Sequence, residues 1–160
     1  MMKLFLTCKT VHIFFILGLF LFMPLNANAQ VVVTETQPLS FGVLSFVSFN
    51  DTLSVNILDN GSFTSNANTI VLTPPTRGEF TLTGGPASTA YTITFSPSFT
   101  ISGPGADFTI DNIRTQPASL VTDALGADDF TIAARITSLG GGQIYNNGAY
   151  NNTFDIVISF

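Results

Sequence analysis

From Gln30 onward the sequence carries no helical period. Apolar residues fall at every second position instead, in runs rich in Thr, Val, Ile and Phe. Candidate strands are Val31–Thr36, Leu39–Val47, Thr52–Leu58, Thr69–Thr73, Glu79–Gly84, Ala90–Ser96, Phe99–Ser102, Ala106–Ile113, Asp129–Thr137 and Thr153–Phe160. Between them stand "DNGS", "TPPTRG", "GGPAS", "SGPGA", "LGGGQ" and "NNG". Gly and Asn accept positive φ, and Pro is kept out of central ladders, so these are turns. Short strands at this spacing, with no helices between them, predict an all-β fold. The expected form is an antiparallel β-sandwich, immunoglobulin-like or pilin-like, with roughly eight to ten short strands.

The phrase acid-Phe-Thr-aliphatic recurs at Glu79–Leu82, Asp107–Ile110 and Asp129–Ile132, spaced 28 and then 22 residues apart. So irregular a spacing reads as reused strand chemistry rather than an internal repeat. Phe and the aliphatic are expected to face inward, the acid and Thr outward.

The first 29 residues differ in kind. Lys3 and Lys9 give a basic start, an apolar run covers Ile13–Phe22, and Ala27 and Ala29 sit two apart after Pro24. That order is a secretory leader, cleaved between Ala29 and Gln30. The run is short for a membrane span and a polar "NANAQ" follows it. Residues 30–160 then form one domain, large enough for a sizeable core.

Both lysines, the one His, the one Cys and all three Met lie in the leader. Arg77, Arg114 and Arg135 remain against ten acids, leaving a net charge of −7. So acidic a surface disfavours nucleic acid and anionic lipid. Without Cys, Lys or His, the familiar nucleophiles and zinc ligands are missing. The carboxylates Asp107, Asp111, Asp123, Asp128 and Asp129 remain for acid–base work, but a lone sandwich of this size offers no obvious cleft. No enzymatic activity, cofactor or metal is expected. Calcium is the metal that oxygen ligands leave open, with "DALGADD" (Asp123–Asp129) and "DNGS" (Asp59–Ser62) as the places to look, neither of which has EF-hand spacing.

In "TFDIVISF", Phe154, Ile156, Ile158 and Phe160 share one face. This is first of all a core strand of a closed sandwich. A second reading is strand exchange between subunits, with Gln30–Gln37 as donor and Val31 and Val33 as its anchors. A third is a small outer-membrane barrel, though most strands here are shorter than the roughly 9–11 residues a membrane strand needs. Tyr145, Tyr150, Asn147 and Asn151 are a candidate sugar-binding patch, if the tyrosines do not instead cap the sandwich.

These residues also resemble a family of secreted bacterial domains catalogued as domain of unknown function 4402. Leu39, Phe41 and Gly42 match its Leu-x-Phe-Gly. Phe80, Leu82, Gly84, Pro86, Tyr91 and Ile93 match its central strands. Gly148, Tyr150, Phe154, Ile156, Ile158 and Phe160 match its close. Asn151 stands where the family commonly has Gly, and Phe160 where it often has Tyr. The resemblance implies an exported, pilin-like or adhesin-like sandwich and brings no catalytic residues.

The expectation is therefore a structural or adhesive domain, possibly fimbrial, exported by a Gram-negative bacterium to its surface, periplasm or surroundings. Its partners would be other copies or other surface subunits, without nucleic acid and without a membrane span once the leader is removed. A carbohydrate- or calcium-binding module is the alternative.

Overall fold

The alternating runs become eleven strands in the computed structural model, which describes residues 30–160. The expected leader, up to Ala29, lies outside the described residues. The strands are β1 (Val32–Gln37), β2 (Val43–Phe46), β3 (Ser54–Ile57), β4 (Phe63–Ser65), β5 (Thr69–Thr73) and β6 (Gly78–Thr83). They continue with β7 (Thr92–Thr94), β8 (Phe99–Ile101), β9 (Phe108–Gln116), β10 (Asp128–Thr137) and β11 (Val157–Ser159). Ten overlap the ranges read from alternation. The addition is β4, three exposed residues among turn-forming Asn, Gly and Ser.

β10 is the hub of a seven-stranded antiparallel sheet. Thr131 and Ile132 pair with both β6 and β9, and Arg135–Thr137 pair with both β3 and β9. So β6 and β3 follow one another along one edge of β10, and β9 runs along the other. β1 then extends β6, β4 extends β3, and β8 extends β9. The opposing layer is two separate ribbons, β2–β5 and β7–β11. The molecule is an all-β, antiparallel sandwich.

Alternation along β10 turns Phe130, Ile132, Ala134 and Ile136 inward, all 3% exposed or less. At the Ile136 end they join Leu53, Val55, Phe108 and Ile110, covered by Leu44, Phe46 and Val71 of the β2–β5 ribbon. At the Phe130 end they join Phe80, Leu82, Tyr91 and Leu120, covered by Ile93, Ile156 and Ile158 of the β7–β11 ribbon and its approach. Leu39 and Ile113 touch both clusters, which makes the core continuous. Each such side chain, fully buried, contributes about 1.5–3 kcal/mol relative to exposure.

The recurring acid-Phe-Thr-aliphatic phrase is strand chemistry, as expected. Its three Phe and three aliphatics are all 8% exposed or less. Two copies lie side by side: Phe80 is registered against Phe130, with ring centroids 5.2 Å apart and 11° between planes. On the outer face of the same pairing, Thr81 donates to Asp129 at 2.7 Å.

β9 runs three residues beyond its expected end at Ile113, past a bulge. Asp111 opposes Arg135 and Arg114 opposes Ala133, so two residues of β9 face one of β10. The bulge is made at Asn112, whose φ is 50°. Asn is one of the few residues with a Cβ that visits this region readily. The extra residue shifts the phase, so Ile113 reaches the core although Ile110, at odd spacing from it, does too.

Candidate interaction surface

The side chains singled out in the sequence are mostly committed to the fold. Tyr145 is 7% exposed. Its ring lies 4.6 Å from Phe108 and 4.9 Å from Phe46, and its hydroxyl accepts the Leu139 N–H at 3.0 Å. Tyr150 meets Phe108 edge-on at 4.9 Å and donates to the Asn146 carbonyl at 3.1 Å. Its ring covers Gly103 so closely that any Cβ there would overlap it. The two tyrosines thus converge on Phe108. Asn147 and Asn151 are exposed, and the Asn151 backbone bridges to Ser102.

Four of the five singled-out acids, and Asp59, are also engaged, while Asp107 is exposed. Asp123 accepts the backbone N–H groups of Ala127 and Leu125, both at 2.8 Å. These bonds favour the charged form and hold its carboxyl below the usual range. Asp111 takes both ends of the Arg135 fork, at 2.7 and 2.9 Å, and this hydrogen bonding lowers its pKa. Asp59 accepts from Arg114 at 2.9 Å and from Gln116 at 3.2 Å. Asp128 and Asp129 point to opposite faces, as neighbours on a strand must: Asp128 receives the Tyr91 hydroxyl at 2.9 Å, and Asp129 receives Thr81. Among the described residues no three His, Cys, Asp or Glu side chains gather as a metal centre.

The Tyr91–Asp128 pair yields a pH prediction. Burial raises the Tyr91 pKa well above its ordinary value of 10, and the hydrogen bond to Asp128 raises it further. The fold therefore favours neutral Tyr91. That stabilisation is complete below about pH 10 and is lost as pH rises beyond it. Tyr91→Phe is expected to cost about 1 kcal/mol at pH 7 and to flatten the alkaline loss of stability. Urea unfolding at pH 7 and pH 11 checks it. An unchanged alkaline slope in the variant would remove Tyr91 as its source.

β1 lies at the margin of the large sheet, and no other strand of the described residues pairs with its outer edge. Val31 and Val33 are 40% and 39% exposed, so neither anchors in the core of this subunit. Five registered pairs and the side chains of Thr36 and Gln37, which donate to backbone carbonyls of Glu79 and Arg77, hold β1 to β6.

The most distinctive surface is one that motif reading passed over. The outer face of the large sheet is polar and carries the Arg135–Asp111 and Arg114–Asp59 pairs. The outer face of the β2–β5 ribbon is apolar. Leu44 and Val71 are paired and face the core, so Val43 and Ile70 face out. A bulge leaves Leu72 without a cross-strand partner. Val43, Val47, Ile70 and Leu72 are 51%, 64%, 46% and 64% exposed. Neither strand contains a charged residue. Below the ribbon, Asn68 pins the neighbouring loop: its Oδ1 accepts the Ser48 N–H at 2.7 Å, and its Nδ2 donates to the Ser48 and Asp51 carbonyls at 2.9 Å.

Fold and surface together define a small β-sandwich domain with one polar and one partly apolar outer face. Residues 31–160 match the family described as Domain of unknown function (DUF4402), and the chain belongs to that family. Comparisons with curated proteins and with solved structures find no match.

Proposed function

We propose that this chain is an exported bacterial cell-surface domain with a structural or adhesive role, either a fimbrial-type subunit or a standalone surface domain, that acts by contact rather than by catalysis. The observation that carries this reading is the uncharged outer face of β2–β5, where four large apolar side chains stay 46–64% exposed. An apolar patch rimmed by polar residues is characteristic of surfaces that meet another macromolecule. The leader-like first 29 residues support export, and ion-paired or turn-bound carboxylates suit a structural role better than acid–base chemistry.

The test is expression of the full chain in a Gram-negative host, followed by fractionation and by antibody labelling of intact cells. The expected result is a chain shortened by the leader, in the envelope fraction and labelled from outside. Recovery of the uncleaved chain in the cytoplasm would overturn the reading.

A further inference from the structure

We infer that Gln30 is a modification site: once the leader is removed, its side chain closes on its own α-amine as a pyroglutamyl lactam, which shields β1 from aminopeptidases. The inference rests on the export reading above, because cleavage after Ala29 is what makes Gln30 an N-terminus.

The chemistry is self-contained. The neutral α-amine attacks Cδ of its own side chain. The N–Cδ bond forms, the Cδ–Nε2 bond breaks, and the amine's proton leaves with the amide nitrogen as ammonia. Nothing is oxidised or reduced, and no co-reactant is consumed. An α-amine has an ordinary pKa of about 8, so a useful fraction is neutral near pH 7. Amine and amide belong to one residue, so no encounter has to be waited for.

The structure leaves this residue open to react and gives the product a seat. Gln30 is exposed and precedes the β1–β6 ladder, which starts at Val32 opposite Thr83. Two other glutamines have committed amides: Gln37 donates to the Arg77 carbonyl at 2.9 Å, and Gln116 donates to Asp59 at 3.2 Å. The Gln30 carbonyl lies against Gly84, where any Cβ would overlap it. Ring closure uses the amine and the side chain and spares that carbonyl, so the chain end keeps its place over β6.

The consequence follows from composition and from β1. Residues 30–160 contain no Lys, so the α-amine of Gln30 is the only primary amine of the cleaved chain. Cyclisation removes it, and with it the charge and the group that an aminopeptidase must grip. β1 is what such an enzyme would consume first. It is exposed from Val32 to Thr36 and, among the described residues, pairs with β6 alone. Chain ends so weakly tied down are where proteolysis concentrates.

The experiment is whole-protein mass measurement, with and without an amine-reactive label. The sample is the full chain expressed in a Gram-negative host, recovered from the envelope and held at pH 8 until its mass is constant. The expected product is residues 30–160 less one ammonia, with no label taken up. Pyroglutamyl peptidase should then remove the lactam, expose the Val31 amine and let one label on. Gln30→Asn is the control, because its amide, one methylene shorter, cannot close the same ring. It should keep its full mass and one label, and a broad-specificity aminopeptidase should trim it into β1 while sparing the parent.

A cleaved chain of full mass with one label overturns the inference and leaves export intact, and so does cleavage at another residue. A Gln30→Asn chain as resistant as the parent overturns the shielding of β1. An uncleaved chain, labelled at Lys3 and Lys9, removes the export reading and the inference with it, and its mass and label count tell that failure from the first.

Discussion

Replacing Phe130 by Ala is expected to cost about 3–5 kcal/mol. Phe130 sits on the hub strand and is 1% exposed. Its ring stacks on Phe80, registered opposite it. Its cluster is closed by Ile156 and Ile158, on a strand distant in sequence, so little can collapse into the space left behind. A domain of this size has a net stability of about 5–15 kcal/mol, and the variant should lose about a fifth of it or more. The urea midpoint should fall with an unchanged slope, because the surface exposed on unfolding is nearly the same. Phe63→Ala is the control. Phe63 lies on the short marginal strand β4, 36% exposed, and its loss should cost under about 1 kcal/mol. Similar losses for the two would mean that Phe130 is not at the packing centre.

That contrast shows how much of the fold was legible. Alternation states which face a residue takes. It separated Phe130 and Ile132 from Asp129 and Thr131 without reference to any partner. It does not state which strand lies alongside. β10 pairs with β3, β6 and β9, and nothing in the sequence of β10 names them. Nor does alternation foresee that the second layer is two ribbons rather than one sheet.

The misses have local causes. β4 is too short to show a period. The end of β9 was lost because the bulge at Asn112 resets the phase, so residues beyond it no longer continue the earlier pattern. Tyr145 and Tyr150, with Asn around them, look alike in sequence to a sugar platform and to a loop folded over an aromatic cluster. Their ring contacts are with Phe46 and Phe108, distant in sequence, which alternation cannot place.

The β2–β5 surface left a trace that went unread. "GVLSFV" and "TIVLT" are apolar on both parities, as Val31–Val33 and Ile156–Ile158 also are. In a sandwich, a run without alternation means a strand covered on both sides, or one whose outer face awaits cover. Neither strand is covered on its outer side within this subunit.

Ending the chain at Thr153 is expected to abolish cooperative folding. The deleted segment places Ile156 and Ile158 on the cluster of Phe80, Leu82, Phe130 and Ile132. Phe154 stacks on Phe99 at 5.2 Å, and Phe160 lies 5.6 Å from Tyr91. β11 also provides the registered partner of β7, so deletion leaves β7 without a ladder. Phe154, Ile156 and Ile158 are partly buried, and their loss alone removes on the order of 2–5 kcal/mol of apolar burial, a large share of the stability of a small domain. The deletion should show no sharp thermal transition and should be digested within minutes by a protease that leaves the parent intact. A single change on the same strand distinguishes packing from mere length. Val157 faces outward and is 55% exposed, so Val157→Thr should melt within a few degrees of the parent. Ile158→Asn puts an amide into the apolar cluster with no partner named for it there, and should cost about 3 kcal/mol or more. If the peptide Thr153–Phe160 added in trans restores protease resistance to the shortened chain, the strand acts by filling and pairing, independently of its covalent link. A shortened chain that melts like the parent would instead mean that β11 lies on a core already complete without it.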